Sequence, residues 1–199
     1  MSYKNLRNLN KSLSDTAVRI GECRFSYVNV FTPRAKEDGT PGKYSVQLII
    51  PKTDKAAKAM IDAAVEAAVQ NGISTKFGGK RPVASKLKLP LRDGDEEFPD
   101  DENYEGCWFM NASSSADYKP GVRVLENGQM VEALDSEDIY SGCFGCASVN
   151  FFSYNTSGNT GVAAGLNNLI KTKDGDKLGG THSAESDFGD LIGDASYLD

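Results

Sequence analysis

The chain of 199 residues contains one histidine, His182, and no long apolar run. His182 lies in a polar, Gly-rich stretch, which leaves no histidine for a buried Ser-His-Asp or Cys-His site. No segment approaches the roughly 18 consecutive apolar residues that a membrane-spanning helix requires. The first fifteen residues are polar and lack the apolar core of a secretion signal, so we expect a cytoplasmic protein without a membrane partner.

Cysteine is also scarce, and the four residues present should be reduced thiols in such a compartment. Cys143 and Cys146 form a C-x-x-C pair. Zinc would need a second pair of ligands, and Cys23, Cys107 and His182 do not supply one. The pair is therefore read as small apolar residues of a strand, and we expect neither a metal nor a cofactor.

The excess of acid over base is concentrated in two segments, although the net charge of −6 argues at first against a nucleic-acid partner. Residues 93–105 hold eight acids and no base, and residues 183–199 hold five acids and no base. The rest of the chain is net positive. A local positive field can bind a polyanion even when the whole protein is acidic.

The periodicity predicts a mainly β protein. Residues 18–31 are rich in β-branched and aromatic side chains, and residues 43–50 alternate between apolar and polar. One helix is predicted over about 54–71, with Thr53 as its cap and Gly72 as its stop. Further strands are predicted over residues 86–91, 106–112, 122–125, 141–154 and 160–171. Short strands, Gly-rich turns and one inserted helix favour an OB-fold-like, partly open Greek-key barrel, with a β-sandwich as the alternative.

The barrel is expected over residues 17–173, between an N-terminal arm (1–16) and a linker with a flexible acidic tail (174–199). The tail buries too little apolar surface to fold alone, and such tails often recruit other proteins. Its candidate partner-binding residues combine acids with apolar anchors: Asp187, Phe188, Asp190, Asp194, Tyr197 and Leu198.

Aromatic side chains on polar strand faces are candidates for base stacking. Alternation in residues 147–154 places Phe152 and Tyr154 on the face opposite the barrel interior, where they could stack bases. Alternatively, the helix or the N-terminal arm covers them. Trp108 is either a third stacking platform or a core residue. A further set shares one face of the first strand and is expected in the core: Phe25, Tyr27 and Phe31.

Residues 76–92 contain six bases and no acid, which is unusual in this chain. Such a cluster could line a groove that follows a phosphate backbone. The candidate phosphate-binding residues are Lys43, Lys80, Arg81, Lys88, Arg92 and Lys171.

Two other functions remain open at this point. Asp93, Asp95 and Glu96 could hold Mg²⁺ in a nuclease-like enzyme, although charge runs usually remain solvated. A β-sandwich would instead suit a structural protein of the virion.

Four segments resemble a phage protein family long labelled a domain of unknown function, whose members look like single-stranded-DNA-binding proteins. They are KYSVQLIIPK (43–52), LPLRDGDEEFPDDENYEGCWFMNASS (89–114), YSGCFGCASVNFFSYNTSGNTGVAAGLNNLIK (140–171) and LGG (178–180). The resemblance covers about residues 17–190. It implies an OB-fold with an acidic C-terminal tail.

Together these observations predict a non-enzymatic protein that coats single-stranded DNA without sequence preference during phage replication or recombination. We expect it in the host cell cytoplasm. The tail is expected to recruit phage or host replication proteins and to occupy the DNA groove when DNA is absent. Whether the protein forms a homodimer is left open.

Overall fold

The computed structural model describes residues 9–156 and 158–179. Its strands are β1 (Lys11–Ser12), β2 (Ala17–Ala35), β3 (Pro41–Pro51), β4 (Leu87–Lys88), β5 (Arg92–Asp93), β6 (Cys107–Ser115), β7 (Gly121–Glu126), β8 (Gln129–Glu132), β9 (Phe144–Thr156) and β10 (Asn159–Lys173). Its helices are α1 (Lys55–Thr75) and α2 (Gly94–Glu97), with a single 3-10 turn at Ala84–Lys86. No helix in this described part of the chain combines the length and apolarity needed to cross a membrane.

Five long strands form a closed barrel in the order β6-β3-β2-β9-β10. A short parallel contact, in which Ala164 pairs with Ala112 and Gly165 with Ser113, joins β10 back to β6. Numbered along the chain, the barrel strands follow one another as 1-2-3-5-4, and the predicted OB-fold-like barrel is confirmed. The β6–β10 pairing closes the ring, whereas the sequence pattern predicts a partly open one.

Alternating side chains fill the barrel interior, as the pattern of the second strand predicts. Val46 and Leu48 of β3 point inward and pack with Phe25 of β2 and Phe151 of β9 in one core cluster. Cys143 and Cys146 are buried as well, and burial raises the pKa of both thiols. Their burial agrees with their expected role as small apolar residues.

Helix α1 packs on β9 along an apolar stripe, and this confirms the predicted helix with two local corrections. The cap is Asp54 rather than Thr53, because the Asp54 carboxylate accepts the Ala57 N–H at 2.9 Å. Gly72 does not end the helix, which continues to Thr75. Gly72 is instead buried, and a Cβ there would lie 2.4 Å from the Ser153 hydroxyl oxygen. The fold therefore requires the small size of Gly72 and not its conformational freedom.

A second, smaller core lies outside the barrel wall. Ile49 of β3 and Phe109 of β6 point away from the interior and are covered by Tyr104 and Phe98. The Tyr104 hydroxyl donates a hydrogen bond to the side-chain oxygen of Gln47, a buried polar residue of β3. The acidic segment around residues 93–105 is therefore anchored on one end of the β3–β6 outer surface.

Candidate nucleic-acid interface

The outer surface of β3 and β6 beyond this small core is polar and carries no carboxylate. Lys43 pairs with Ser115, and Ser45 pairs with Ser113, so each pair shares the face opposite the buried Val46. The outward side chains of the two strands here are Lys43, Ser45, Asn111, Ser113 and Ser115, and the surface ends at Gln47, which is buried and bound to Tyr104. We call the five residues Lys43, Ser45, Asn111, Ser113 and Ser115 the β3–β6 face. OB-folds commonly bind oligonucleotides on the face of their second and third strands, which are β3 and β6 in this chain.

Phe152 extends the β3–β6 face across the barrel seam. Ser113 pairs with Gly165 of β10, which in turn pairs with Asn150 of β9. A Cβ at Gly165 would lie 3.4 Å from Cε1 of Phe152, so the Phe152 ring leans over this glycine. The side chain is 47% exposed. The predicted outward position of Phe152 is thus observed, and its ring is accessible beside a polar surface.

Tyr154 lies two residues further along β9, on the same side of the strand as Phe152, and is partly buried. A Cβ added at Gly161 would lie 2.7 Å from the Tyr154 hydroxyl oxygen. The same Cβ would lie 2.4 Å from the backbone carbonyl oxygen of Lys88. Tyr154 therefore leans over Gly161 beside β4. It shares the outer side of the barrel with Phe152 but is less accessible.

Trp108 is partly buried against the barrel core. It pairs with Ile50 on the inward side of the sheet and packs against the barrel core. The ammonium nitrogens of Lys52 and Lys58 lie 4.7 and 5.1 Å from its ring centroid. Trp108 therefore lies on the inward side of the sheet, opposite to the outward side that carries Phe152, and its part in base stacking stays a prediction.

Tyr27 is an exposed ring that the alternation pattern placed in the core, and that expectation is wrong. Its backbone has φ 47°, a left-handed conformation that is uncommon outside glycine, and its side chain is 67% exposed. The β2–β3 pairing shifts between Ser26 and Asn29, so a bulge reverses the direction of Tyr27. Phe25 is fully buried and Phe31 is half-buried against the core, as expected. Alternation cannot reveal a bulge, because it assumes an unbroken pleat.

Three of the six candidate phosphate-binding residues lack a carboxylate partner in the described part of the chain. Lys43 is exposed and pairs in register with Arg34, another exposed base. Lys80 is exposed in the loop after α1. Lys88 donates to the side-chain oxygen of Asn159 at 2.6 Å, at the turn between β9 and β10. These three can approach a phosphate without first breaking an ion pair.

The other three bases are held by acids. Arg81 binds Glu66 of α1 through two hydrogen bonds, and its guanidinium lowers the pKa of Glu66 to about 2. Lys171 binds Asp174 at 3.0 Å. Arg92 pairs with Glu97 while lying over the ring of Phe109. A phosphate would have to compete with these carboxylates.

The carboxylates of the metal alternative have structural partners. Lys52 forms ion pairs with both Asp93 and Asp95, and the Lys52 ammonium lowers the pKa of Asp95. Asp95 also accepts the Gly106 N–H at 2.7 Å, while Glu96 is exposed. Within residues 9–156 and 158–179, no group of three or more His, Cys, Asp or Glu residues is arranged to hold a metal ion. The acids organise the loop, and nothing here favours the nuclease alternative.

The predicted partner-binding residues of the tail lie outside the described residues. They are Asp187, Phe188, Asp190, Asp194, Tyr197 and Leu198.

The chain matches one protein family over most of its length. The model of a family described as the single-stranded-DNA-binding protein of Enterobacter phage Enc34 matches residues 16–198. A putative protein p50 of Acyrthosiphon pisum secondary endosymbiont phage 1 is 27% identical over 182 residues, covering 87% of this chain and 93% of the relative.

Two solved structures have the same fold as this chain. The Enc34 protein in complex with single-stranded DNA superposes with a TM-score of 0.70 at 28% identity, covering 85% of this chain and 96% of that one. The single-stranded-DNA-binding protein gp2.5 of bacteriophage T7 has a TM-score of 0.56 at 18% identity, covering 92% and 97%, which shows a common fold. The chain belongs to the Enc34 family of phage single-stranded-DNA-binding proteins.

Proposed function

We propose that this protein coats single-stranded DNA of a phage without sequence preference and without catalysing a reaction. The observation that carries the proposal is the acid-free β3–β6 face, which continues over Gly165 to the exposed ring of Phe152. A polar face with one accessible ring and the exposed base Lys43 has the composition of a strand-binding groove.

The expected mode of binding follows from these side chains. Phe152 offers an aromatic plane on which any base can stack, worth about 1–3 kcal/mol. Lys43, Lys80 and Lys88 supply positive charge for phosphates. Short serine side chains on the face let the strand approach closely. Stacking and charge do not distinguish bases, so little sequence preference is expected.

The test compares DNA forms. The full-length protein is titrated into labelled single-stranded and double-stranded oligonucleotides of equal length, with and without Mg²⁺, and binding is read by gel shift. We expect a shift with the single strand, intact DNA in Mg²⁺, and affinity that falls with salt by a slope of about −0.7 per neutralised phosphate. Cleavage of the strand would support the nuclease alternative, and an unshifted strand would contradict the proposal.

The acidic tail is the second part of the proposal. Residues 183–199 carry five acids and no base, so they resemble a polyanion in charge. We expect the tail to compete with DNA for the basic surface. Removing the residues after Thr181 should tighten binding to single-stranded DNA at low salt. Unchanged affinity would leave the tail only a tethering role.

A tail that is displaced by DNA can bind other proteins at the same time. The proposed partners are phage or host replication proteins in the host cytoplasm, with Phe188 and the Tyr197-Leu198 pair as apolar anchors among acids. A role in replication or recombination follows from this recruitment. Pull-down of host lysate with the isolated tail sequence, against a version with Phe188 and Tyr197 changed to alanine, tests it. Equal capture by both versions would contradict the assigned anchors.

A further inference from the structure

The hairpin of β7 and β8 ends the sheet with an edge that no described residue covers. The strand order runs β10-β7-β8, and all four residues of β8 are exposed. Met130 is 74% exposed, and its neighbour across the hairpin, Leu125, is 42% exposed. β8 contains neither lysine nor proline, the residues that commonly protect an edge strand. A strand with exposed apolar side chains and free backbone groups can pair with another strand.

The turn shows which backbone groups are free. Asn127 and Gly128 form a two-residue turn with φ 50° and 80°, between the paired residues Glu126 and Gln129. Residues that flank such a turn exchange backbone hydrogen bonds, and the next pair along an antiparallel ladder does not. The N–H and C=O of Met130 therefore point to the open edge.

We propose that β8 pairs with β8 of a second copy of this chain, antiparallel and about a two-fold axis at Met130. In this register Met130 faces Met130 of the second copy, and the two Leu125 side chains extend the apolar row on the same face. Glu132 faces Gly128 of the second copy, so the two Glu132 carboxylates stay four positions apart along the ladder. The edge strand β8 can therefore pair with an identical β8, as the interface of a symmetric dimer requires.

A partner rich in acids, the protein's own tail included, would bring its carboxylates against the acids around β8, whereas the two-fold register keeps the Glu132 carboxylates of two copies apart. Glu132 ends β8, Glu126 of β7 lies just before the turn, and Asp135 and Glu137 follow β8 in the chain. A four-residue edge makes a small contact, so the dimer belongs to the weak, concentration-dependent class. Salt screens repulsion between acids of the two copies, and therefore should not weaken the dimer.

The consequence for DNA rests on the proposed function. A dimer carries two β3–β6 faces, so a long strand that occupies both gains affinity through effective concentration, whereas a short strand that occupies one face does not. Association without DNA tests the interface itself, and short-strand binding tests the function. Failure of one is therefore distinguishable from failure of the other.

Sedimentation equilibrium of the full-length protein, without DNA, is the test. We expect a weight-average mass that rises with concentration from 21.4 kDa toward twice that value, and equally at high salt. Met130→Lys should remain monomeric, while the matched control Leu13→Lys, at another exposed apolar site, should behave as wild type. A wild-type protein that stays monomeric at all concentrations, or a Met130→Lys protein that associates normally, overturns the proposal.

A cross-link provides a second measurement that does not depend on a charged substitution. Met130→Cys should give a covalent dimer with a short bismaleimide, because opposite side chains are about 4.5–5.5 Å apart at Cβ in this register. Leu13→Cys and the wild-type protein serve as controls for reaction at native thiols. Equal dimer yield from all three would contradict the two-fold axis at Met130.

Discussion

Phe152 is the residue on which base stacking depends most directly in this account. Replacing it by alanine removes an accessible ring beside Gly165 without touching the core, so we expect weaker binding to single-stranded DNA by about 1–3 kcal/mol and an unchanged melting temperature. Fluorescence anisotropy and thermal unfolding measure the two quantities. Leu134→Ala, at a 79% exposed apolar residue after β8, is the control. Equal affinities for the two variants would remove Phe152 from the interface.

Lys43 should bind a phosphate without giving up an ion pair. Lys43→Ala is expected to lower affinity and to make the slope of log K against log salt shallower by about 0.7. Arg81→Ala should change the slope less, because Glu66 already neutralises Arg81. Lys11→Ala on β1 is the control on another part of the surface. A slope that is unaltered by Lys43→Ala but altered by Lys11→Ala would contradict the assigned face.

The Glu66–Arg81 pair should stabilise the fold only above acidic pH. The pKa of Glu66 lies at about 2 in the folded protein, below its ordinary value of 4.5. The contribution is therefore complete above pH 4.5 and is lost as pH falls toward 2. Because the pair is half-exposed and screened, its size should be below about 1 kcal/mol. Urea unfolding of wild type and Glu66→Gln should differ at pH 7 and converge near pH 2; a constant difference would contradict this assignment.

Among the elements, α1 depends on one small residue at its end. Intrinsic propensity predicts that Gly72→Ala stabilises a helix by about 1 kcal/mol. Packing predicts the opposite, because the new Cβ would lie 2.4 Å from the Ser153 hydroxyl and 2.6 Å from the Phe77 ring. We expect a net loss of about 1–3 kcal/mol. Urea unfolding decides the sign, with the exposed Ala63→Gly as a pure propensity control; a more stable Gly72→Ala protein would contradict the packing argument.

The predictability of each element follows from the physics that forms it. Alternation in β3 and the apolar stripe of α1 are local patterns, so the strand and the helix could be read from the sequence. The outward direction of Phe152 follows from the same pleat. The bulge at Tyr27 and the closure of the seam at Gly165 depend on pairing with distant strands. Local patterns do not contain that information.

The sequence also does not reveal which carboxylate each basic side chain pairs with. Residues 76–92 read as one basic cluster, yet Arg81 and Arg92 are held by Glu66 and Glu97. Glu66 lies 15 residues from Arg81, on the helix, and only the fold brings the two together. Charge counts along a chain therefore overestimate the bases available to DNA.

For the whole molecule, the fold keeps the acids of residues 93–105 off the β3–β6 face. Asp93 and Asp95 are bound by Lys52, and Tyr104 anchors the rest of the acidic segment on β3. The β3–β6 face beside it carries no carboxylate, so the acidic composition of the chain is compatible with a polyanion as ligand.

The most direct test of the central claim places negative charge on that face. Ser45→Glu combined with Ser113→Glu puts two carboxylates on a register pair at its centre, while Ala63→Glu combined with Ser74→Glu adds the same charge to the exposed side of α1. Affinity for a labelled single-stranded oligonucleotide at low salt is then measured by anisotropy. The account predicts that the first double variant loses binding while the second stays close to wild type. Equal affinities for the two double variants would show that the strand binds elsewhere.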